Sequence, residues 1–339
     1  MKRFLAAALL IAAPFALAQK PSGSLKVYFA DVEGGQATLF VPPTGENMLV
    51  DAGWPGAKNA DRMMELLKAA GVKKIDNLVI THYHVDHVGG VPELAARIPV
   101  TRFIDHGVNR EEDNKATVTG WEAYQKMLAD GHYAHLIAKP GKTLPIKGMR
   151  VEVVSADGNV LDKPLAGAGA ANPACAASIL KPAENSENDR SVGMIITFGK
   201  LRIADLGDLT WARERPLMCP VNKLGKVDIY VVSHHGFDRS SSPALVDGIA
   251  PRVAIMDNGA TKGGQPGAWE IIDHSPRLKD LWQLHTAIHN DAAHNTAEER
   301  IANLPGPDSG HYLLLTGHAD ASFSVTNSRT GKTVEYPAP

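Results

Sequence analysis

The chain has 339 residues, 44% of them hydrophobic and 21% charged, with 35 Lys and Arg against 37 Asp and Glu for a formal net charge of −2. Those proportions are ordinary for a globular protein and leave room for a sizeable core in one large domain or two small ones. The acidic balance, with no clustered basic stripe, argues against a tight nonspecific nucleic-acid binder, which needs Lys and Arg along the phosphate backbone.

Residues 1–18 place Lys2 and Arg3 before an apolar stretch too short to span a bilayer and end on Ala16-Leu17-Ala18. That is the build of a secretory signal peptide cleaved after Ala18. Losing Lys2 and Arg3 with it takes the formal charge from −2 to −4. No comparable apolar run follows, so the expectation is an exported (periplasmic or secreted) protein with no membrane span after cleavage, its residues 19–339 forming a single domain.

Three β-type runs, SLKVYFADV, ATLFVPP and NMLVDAG, open the mature chain as an antiparallel meander punctuated by Gly and Pro. Met63, Leu66, Leu67 and Ala70 then fall at helical spacing, with Asn59 as the cap and Gly71 as the stop. NLVI reads as a buried strand, GVPELAARI and WEAYQKMLAD as helices, and RFID as a strand between them. A second half repeats the order. MRVEVVSA, GMIITFGK, LRIADLGD, VDIYVVSHH and RVAIMDN are strands, and TWARERPLM and PALVDGIA are helices. Two sheet-bearing halves with helices outside predict an α+β, four-layer αββα sandwich. Residues 158–188 lack any period and read as a loop insertion, pinned by Cys175. In an oxidising compartment Cys175 and Cys219 are expected to form a disulfide. LWQLHTAIHNDAAHN, with His285, His289 and His294, reads as a long loop.

Directly after NLVI comes THYHVDHVGG, which packs three histidines and an aspartate into six positions. Four cation-binding groups at the end of a buried strand are costly to desolvate without a common partner, so the spacing asks for a metal. His82 and His84, two apart on an extended segment, point the same way and can share one ion. Asp86 and His87 fall where the chain turns and can face a second. Imidazole suits zinc, and a carboxylate beside it suits zinc, manganese or iron. Two later strands end on matching groups: LRIADLGD on Asp208, a carboxylate able to bridge two cations, and VDIYVVSHH on His234-His235.

THYHVDHVGG carries the H-x-H-x-D-H signature of the metallo-β-lactamase-fold hydrolases, and the resemblance extends over nearly all of the mature chain. The chain looks closest to the hydrolase domain of the ComEC-type competence proteins. Their DVGQGD resembles DVEGGQ at 31–36, their LIDTG resembles LVDAG at 49–53, and their GD and HHGS resemble Gly207-Asp208 and HHGF at 234–237. The resemblance implies the αββα metallo-β-lactamase fold with a dinuclear site at the sandwich edge. It places His82 and His84 on metal one, Asp86, His87 and one histidine of the pair on metal two, and Asp208 between them. His234, first after the strand, is preferred to His235. Two departures stand out. ENSENDRSVGM at 184–194 lacks the further metal-one histidine of the wider superfamily, as ComEC-type proteins also do, which leaves Asn188 or Asp189 to be recruited. GGQPGAW at 263–269 stands where ComEC-type proteins carry GHP, which weakens a nuclease assignment.

Two cations a few ångströms apart bring the pKa of a bridging water to about 7, so the expected chemistry is metal-assisted hydrolysis with two divalent ions, zinc foremost, then manganese or iron. Asp86 and Asp208 are the catalytic carboxylates, Asp86 also orienting the nucleophile and taking up its proton. His235, Asn188, Asp189 and His106 are further candidates for the metal shell or the pocket. Trp54, Asn258 and His285 are candidate pocket residues. The expected substrate is a small-molecule or polymeric ester-like compound, phosphoesters included. The alternatives are a β-lactam or lactone hydrolase, a ComEC-like extracellular nuclease, and a non-catalytic metal-stabilised binding protein. Nucleic acid stays open but is not favoured, and the oligomeric state is not legible.

Overall fold

A computed structural model describes residues 23–339, so the expected signal peptide lies outside the described residues. The opening meander forms as read: β1 (Leu25–Phe29), β2 (Thr38–Val41) and β3 (Met48–Val50) pair antiparallel. The chain then turns parallel. Helix α1 (Ala57–Ala69) leads to β4 (Ile75–Val79), the short helices α2 (Val85–Val88) and α3 (Val91–Ala95) lead to β5 (Val100–Asp105), and α4 (Lys115–Gly131) leads to β6 (Ala134–Ile137). Asn59 does not cap α1. The helix starts after Gly56, and Asn59 donates from inside it to the Trp54 carbonyl at 3.3 Å, tying down the turn after β3.

The second sheet begins with β7 (Thr143–Leu144), β8 (Arg150–Ala156), β9 (Asn159–Val160) and β10 (Gly193–Phe198). Its parallel run is β11 (Leu201–Asp205), β12 (Ile229–Val231), β13 (Val253–Met256), β14 (Asp280–His285) and β15 (Ile301–Asn303), with helices α5 (Trp211–Met218), α6 (Pro243–Ile249) and α7 (Pro266–Asp273) in the crossovers. Strands β16 (Leu313–Gly317), β17 (Phe323–Asn327) and β18 (Thr333–Tyr336) then return to the first sheet, where β16 pairs with β1. The sheets therefore do not divide into two consecutive halves of the chain.

Alternation along each strand builds the four layers. On β10, Met194 and Ile196 join Val27, Val50, Val79 and Ile104 in the core between the sheets, while Ile195 faces Leu217, Leu245 and Ile249 of the outer helices. On the other outer face Leu49, Leu78 and Phe103 pack under Met63, Leu67, Leu94 and Tyr124. The fold is the metallo-β-lactamase-type αββα sandwich. The segment DLWQLH, read as loop, is strand β14, because Trp282 and Leu284 enter the core between the sheets and Leu281 the outer one. Within 158–188 the chain makes β9, a single turn at Pro173–Ala176, the start of a turn at Glu187–Arg190 and an isolated bridge from Ala171 to Val221. Cys175 and Cys219 are joined, their Cα atoms 5.8 Å apart. No helix among the described residues is long and apolar enough to cross a membrane.

Register is what positions the site. Val50, Val79 and Ile104 are neighbours across β3, β4 and β5, as are Asp205, Val231 and Ile255 across β11, β12 and β13. The loops that follow those six strands thus leave the two sheets side by side, at their carboxyl ends, where open parallel sheets place their ligands.

Helix α5 secures one of these loops through Glu214, a buried carboxyl that accepts the N–H groups of Ser241 and Ser242 at 2.7 Å each. Burial pushes the Glu214 carboxyl up to about 7, against the lowering effect of those bonds. A carboxyl raised from 4.5 favours the folded state when protonated, so its contribution is full below about pH 4.5 and lost as pH rises through about 7. Glu214→Gln should reduce that fall in stability by up to about 3 kcal/mol. Urea unfolding midpoints between about pH 4 and 8 would read it; a slope equal to the wild type would assign the titration elsewhere.

Candidate metal centre

After β4 the chain stays extended through His84, which sits at φ −62°, ψ 147° as the N-cap of α2. Alternation sends Tyr83 into the outer core, its hydroxyl donating to the Gly107 carbonyl at 2.6 Å, and turns His82 and His84 to the opposite side. His82 Nε2 and His84 Nδ1 stand 3.0 Å apart. One turn on, His87 Nε2 lies 3.1 Å from His235 Nε2, and Asp86 Oδ2 lies 3.2 Å from the same His235 nitrogen. Asp208 Oδ2 is 3.3 Å from His87 Nε2, 3.5 Å from His235 Nε2 and 3.8 Å from His82 Nε2. Gly207 delivers Asp208 there. Its φ of +55° and a virtual Cβ 2.9 Å from Thr81 leave no place for a side chain.

Carboxylates fix the outward nitrogens of His87 and His84. His87 Nδ1 donates to Asp51 Oδ2 at 2.7 Å, and Asp51 is itself held by the Thr81 hydroxyl at 2.6 Å and the Thr81 N–H at 2.8 Å. His84 Nε2 donates to Glu111 Oε2 at 2.7 Å, and His235 Nδ1 faces Asp257 Oδ1 at 3.3 Å. Each proton held outward leaves a lone pair pointing inward. At 3.0 and 3.1 Å the ring nitrogens of His82 and His84, and of His87 and His235, stand close enough to share an ion. Two nitrogens on one tetrahedral zinc stand roughly 3.3 Å apart, so the spacing fits a shared ion. Asp208 Oδ1, buried and without a hydrogen-bond partner, fits a ligand to such an ion.

Three groups of ligand atoms, each mutually within 4.8 Å, emerge among the described residues: Asp31, Glu33 and His285, and two that share Asp208, namely Asp86, His87, Asp208 and His235, and His82, His84 and Asp208. His235, rather than the expected His234, joins the group with Asp86 and His87. Strand β12 ends at Val231, and two successive left-handed residues, His234 at φ 56° and His235 at φ 53°, swing His235 toward His87. His234 approaches Asp208 Oδ2 only to 3.6 Å, with Nδ1 turned to the Ser240 hydroxyl at 3.2 Å. Counting from the strand end assumed an extended backbone that the turn does not have.

Other expected residues fall outside the two groups that share Asp208. Asp189 binds the Thr210 hydroxyl and the Asn185 N–H, Asn188 Nδ2 reaches Glu184 at 3.4 Å, and His106 Nε2 pairs with Glu187 at 2.8 Å beneath Tyr83. His285 Nε2 meets Asp31 Oδ1 at 2.6 Å, and Asn258 spends its amide on the carbonyls of Gly259 and His285. Trp54 does flank the centre, beside Lys262. Residue reasoning missed Asp51, Glu111 and Asp257. Asp51 had a signal, since it directly follows the apolar strand β3 in LVDAG; Glu111, in an irregular loop, had none. Gln36 of DVEGGQ also gains a purpose, donating from Nε2 to both oxygens of Asp205 at 3.0 and 2.9 Å.

Residues 30–165 match the family model of the metallo-beta-lactamase superfamily. The chain is 22% identical over 274 residues to Recombination protein 2 of Haemophilus influenzae, covering 80% of this chain and 29% of that protein. It is 36% identical over 105 residues to a hydroxyacylglutathione hydrolase of Stenotrophomonas maltophilia, covering 31% and 37%. To ComE operon protein 3 of Bacillus subtilis it is 26% identical over 199 residues, covering 58% and 22%. The chain thus spans between 22% and 37% of the length of these relatives.

The bond from His87 to Asp51 generates a test. In Asp51→Asn the amide would donate to Nδ1, driving the His87 proton to Nε2 and removing the inward lone pair. Zinc affinity should fall by roughly 10- to 100-fold, read by chelator competition. Unchanged affinity in a folded variant would mean that His87 does not bind the ion through Nε2.

Proposed function

We propose that this chain, whose residues 30–165 match the metallo-beta-lactamase superfamily, is an exported dinuclear-metal hydrolase of a compact ester-like or phosphoester substrate. The observation that carries this reading is the membership of Asp208 in two of the ligand groups. A single-ion or merely structural site has no use for a carboxylate shared in that way. His82 and His84 would hold the first ion, Asp86, His87 and His235 the second, with Asp208 between them. Zinc suits the imidazole-rich set.

Bound ions would supply a nucleophile from water at neutral pH and polarise the scissile carbonyl or phosphoryl oxygen. The chain's own residues do the rest. Asp51 and Glu111 keep the His87 and His84 lone pairs aimed inward, so that part of the ligand geometry is set before substrate arrives. Asp86 is 6% exposed and lies at the mouth of the second ligand group, where its carboxylate can orient the nucleophile and accept its proton. Export is supported by the leader-like start of the sequence and by the Cys175–Cys219 bridge.

The likeness to Recombination protein 2 and ComE operon protein 3 favours a second reading, cleavage of phosphodiesters in nucleic acid. The acidic balance weighs against it, since long polyanions need several cationic contacts.

The purified protein should carry close to two transition-metal ions by elemental analysis. Asp208→Ala should keep at most one and lose at least about 100-fold in turnover. Turnover of an aryl ester, a lactone or a bis-aryl phosphate should exceed that of single-stranded or duplex DNA and vary little between low and moderate salt. Full activity with one ion would overturn the dinuclear mechanism. Efficient, strongly salt-inhibited DNA degradation without small-ester activity would install the nuclease reading.

A further inference from the structure

Lys262 is a cation that the ligand set does not use. It sits in the loop between β13 and α7, its Nζ donating to the Gly34 carbonyl at 2.7 Å and pairing with Asp86 Oδ2. Asp86 Oδ2 is the same oxygen that faces His235 Nε2 at 3.2 Å and His87 Nε2 at 3.5 Å. The ammonium therefore stands one carboxylate oxygen away from the second ligand group. Its side chain is 27% exposed against 9% for Asp86, so it forms the outer rim of the site. The ring of Trp54 lies 5.3 Å from Nζ and the ring of Phe237 lies 5.9 Å away.

This placement is built in. Gly264 N–H donates to the His235 carbonyl at 2.8 Å, Gln265 N–H to the Gly236 carbonyl at 2.8 Å, and Gly259 N–H to the Lys262 carbonyl at 2.9 Å. A Cβ on Gly263 would lie 2.1 Å from the His235 carbonyl. The loop is thus laid directly on the turn that presents His235. Among the described residues no other Lys or Arg reaches Asp86 or Asp208. Arg239 is turned to Glu184, Arg110 to Asp157, and Lys58 and Arg62 to Asp308.

We propose that Lys262, between the Trp54 and Phe237 rings, is an anion-binding subsite that selects a compact substrate carrying one negative oxyanion next to the scissile bond. The proposal rests on the hydrolase reading above. Once a divalent ion shares Asp86, that carboxylate no longer balances both charges, and an oxyanion on the substrate restores the balance. One ammonium walled by two aromatic rings matches a single charge rather than a polymer backbone, which would need a row of cations. The shared chemistry is a singly charged oxyanion, from a phosphodiester or from a carboxylate beside an ester.

The test uses the zinc-loaded protein and inorganic phosphate as probe, with binding followed by calorimetry in wild type, Lys262→Gln and Lys262→Arg. Wild type should bind phosphate, Lys262→Gln should weaken it at least about tenfold with both ions retained, and Lys262→Arg should recover most of the loss. In parallel, the ratio of kcat/KM for a bis-aryl phosphate, and for a carboxylate-bearing aryl ester, to that for a neutral aryl ester should fall about tenfold in Lys262→Gln; whichever ratio falls further identifies the source of the oxyanion. No phosphate binding by wild type, a change under twofold in Lys262→Gln, or loss of an ion from that variant would each overturn the subsite. Phosphate binding that depends on Lys262, without hydrolysis of any ester, would keep the subsite and remove the hydrolase reading instead.

Discussion

The buried carboxylates Asp51, Asp86, Asp205, Asp208 and Asp257 are gathered at the carboxyl ends of the parallel strands, and the rest of the centre is arranged around their charge. A buried carboxylate without compensation is strongly unfavourable, and such groups persist in proteins when paired or bound to cations. Here three remedies operate at different depths. Asp205, deepest between the sheets, is pushed up to about 7 by burial, is held by Gln36, and needs the least counter-charge. Asp51 is answered by the His87 imidazole N–H and by Thr81. Asp86 and Asp208 face inward-pointing lone pairs, where only cations can satisfy both partners.

The sandwich makes this concentration of charge tolerable by keeping it at one edge. Inter-sheet packing through Val50, Val79, Ile203 and Val231 continues up to the strand ends, and polar residues start directly beyond. Left-handed residues then turn each chain sharply. Asp51, Gly207, His234 and His235 all have positive φ, so four departures from ordinary backbone cluster at one centre. Close backbone contacts lock the loops together, for a Cβ on Gly35 would lie 2.3 Å from the Asp86 carbonyl. The same loops that hold ligands hold Lys262 and the aromatic rim, which ties substrate selection to the backbone that places His235.

Much of this was legible before any coordinates. Apolar runs ending in His or Asp marked the strand ends, and His82, His84, Asp86, His87 and Asp208 lie within two neighbouring groups of ligand atoms. What escaped depended on features without a sequence period. The choice between His234 and His235 turned on two left-handed residues. The strand holding His285 was hidden by its polar neighbours, and its partner Asp31 lies 254 positions away. Glu111 acts from a loop, and β16 to β18 rejoin the first sheet through a pairing that local pattern cannot encode. Local chemistry was readable, and long-range register was not.

The most direct measurement is anomalous diffraction from crystals grown with zinc. The expected result is two peaks about 3.5–4 Å apart, one beside His82 and His84, the other beside Asp86, His87 and His235, with Asp208 reaching both. A single peak at full zinc occupancy, or a second ion held by His234 with His235 unengaged, would contradict the dinuclear centre described here.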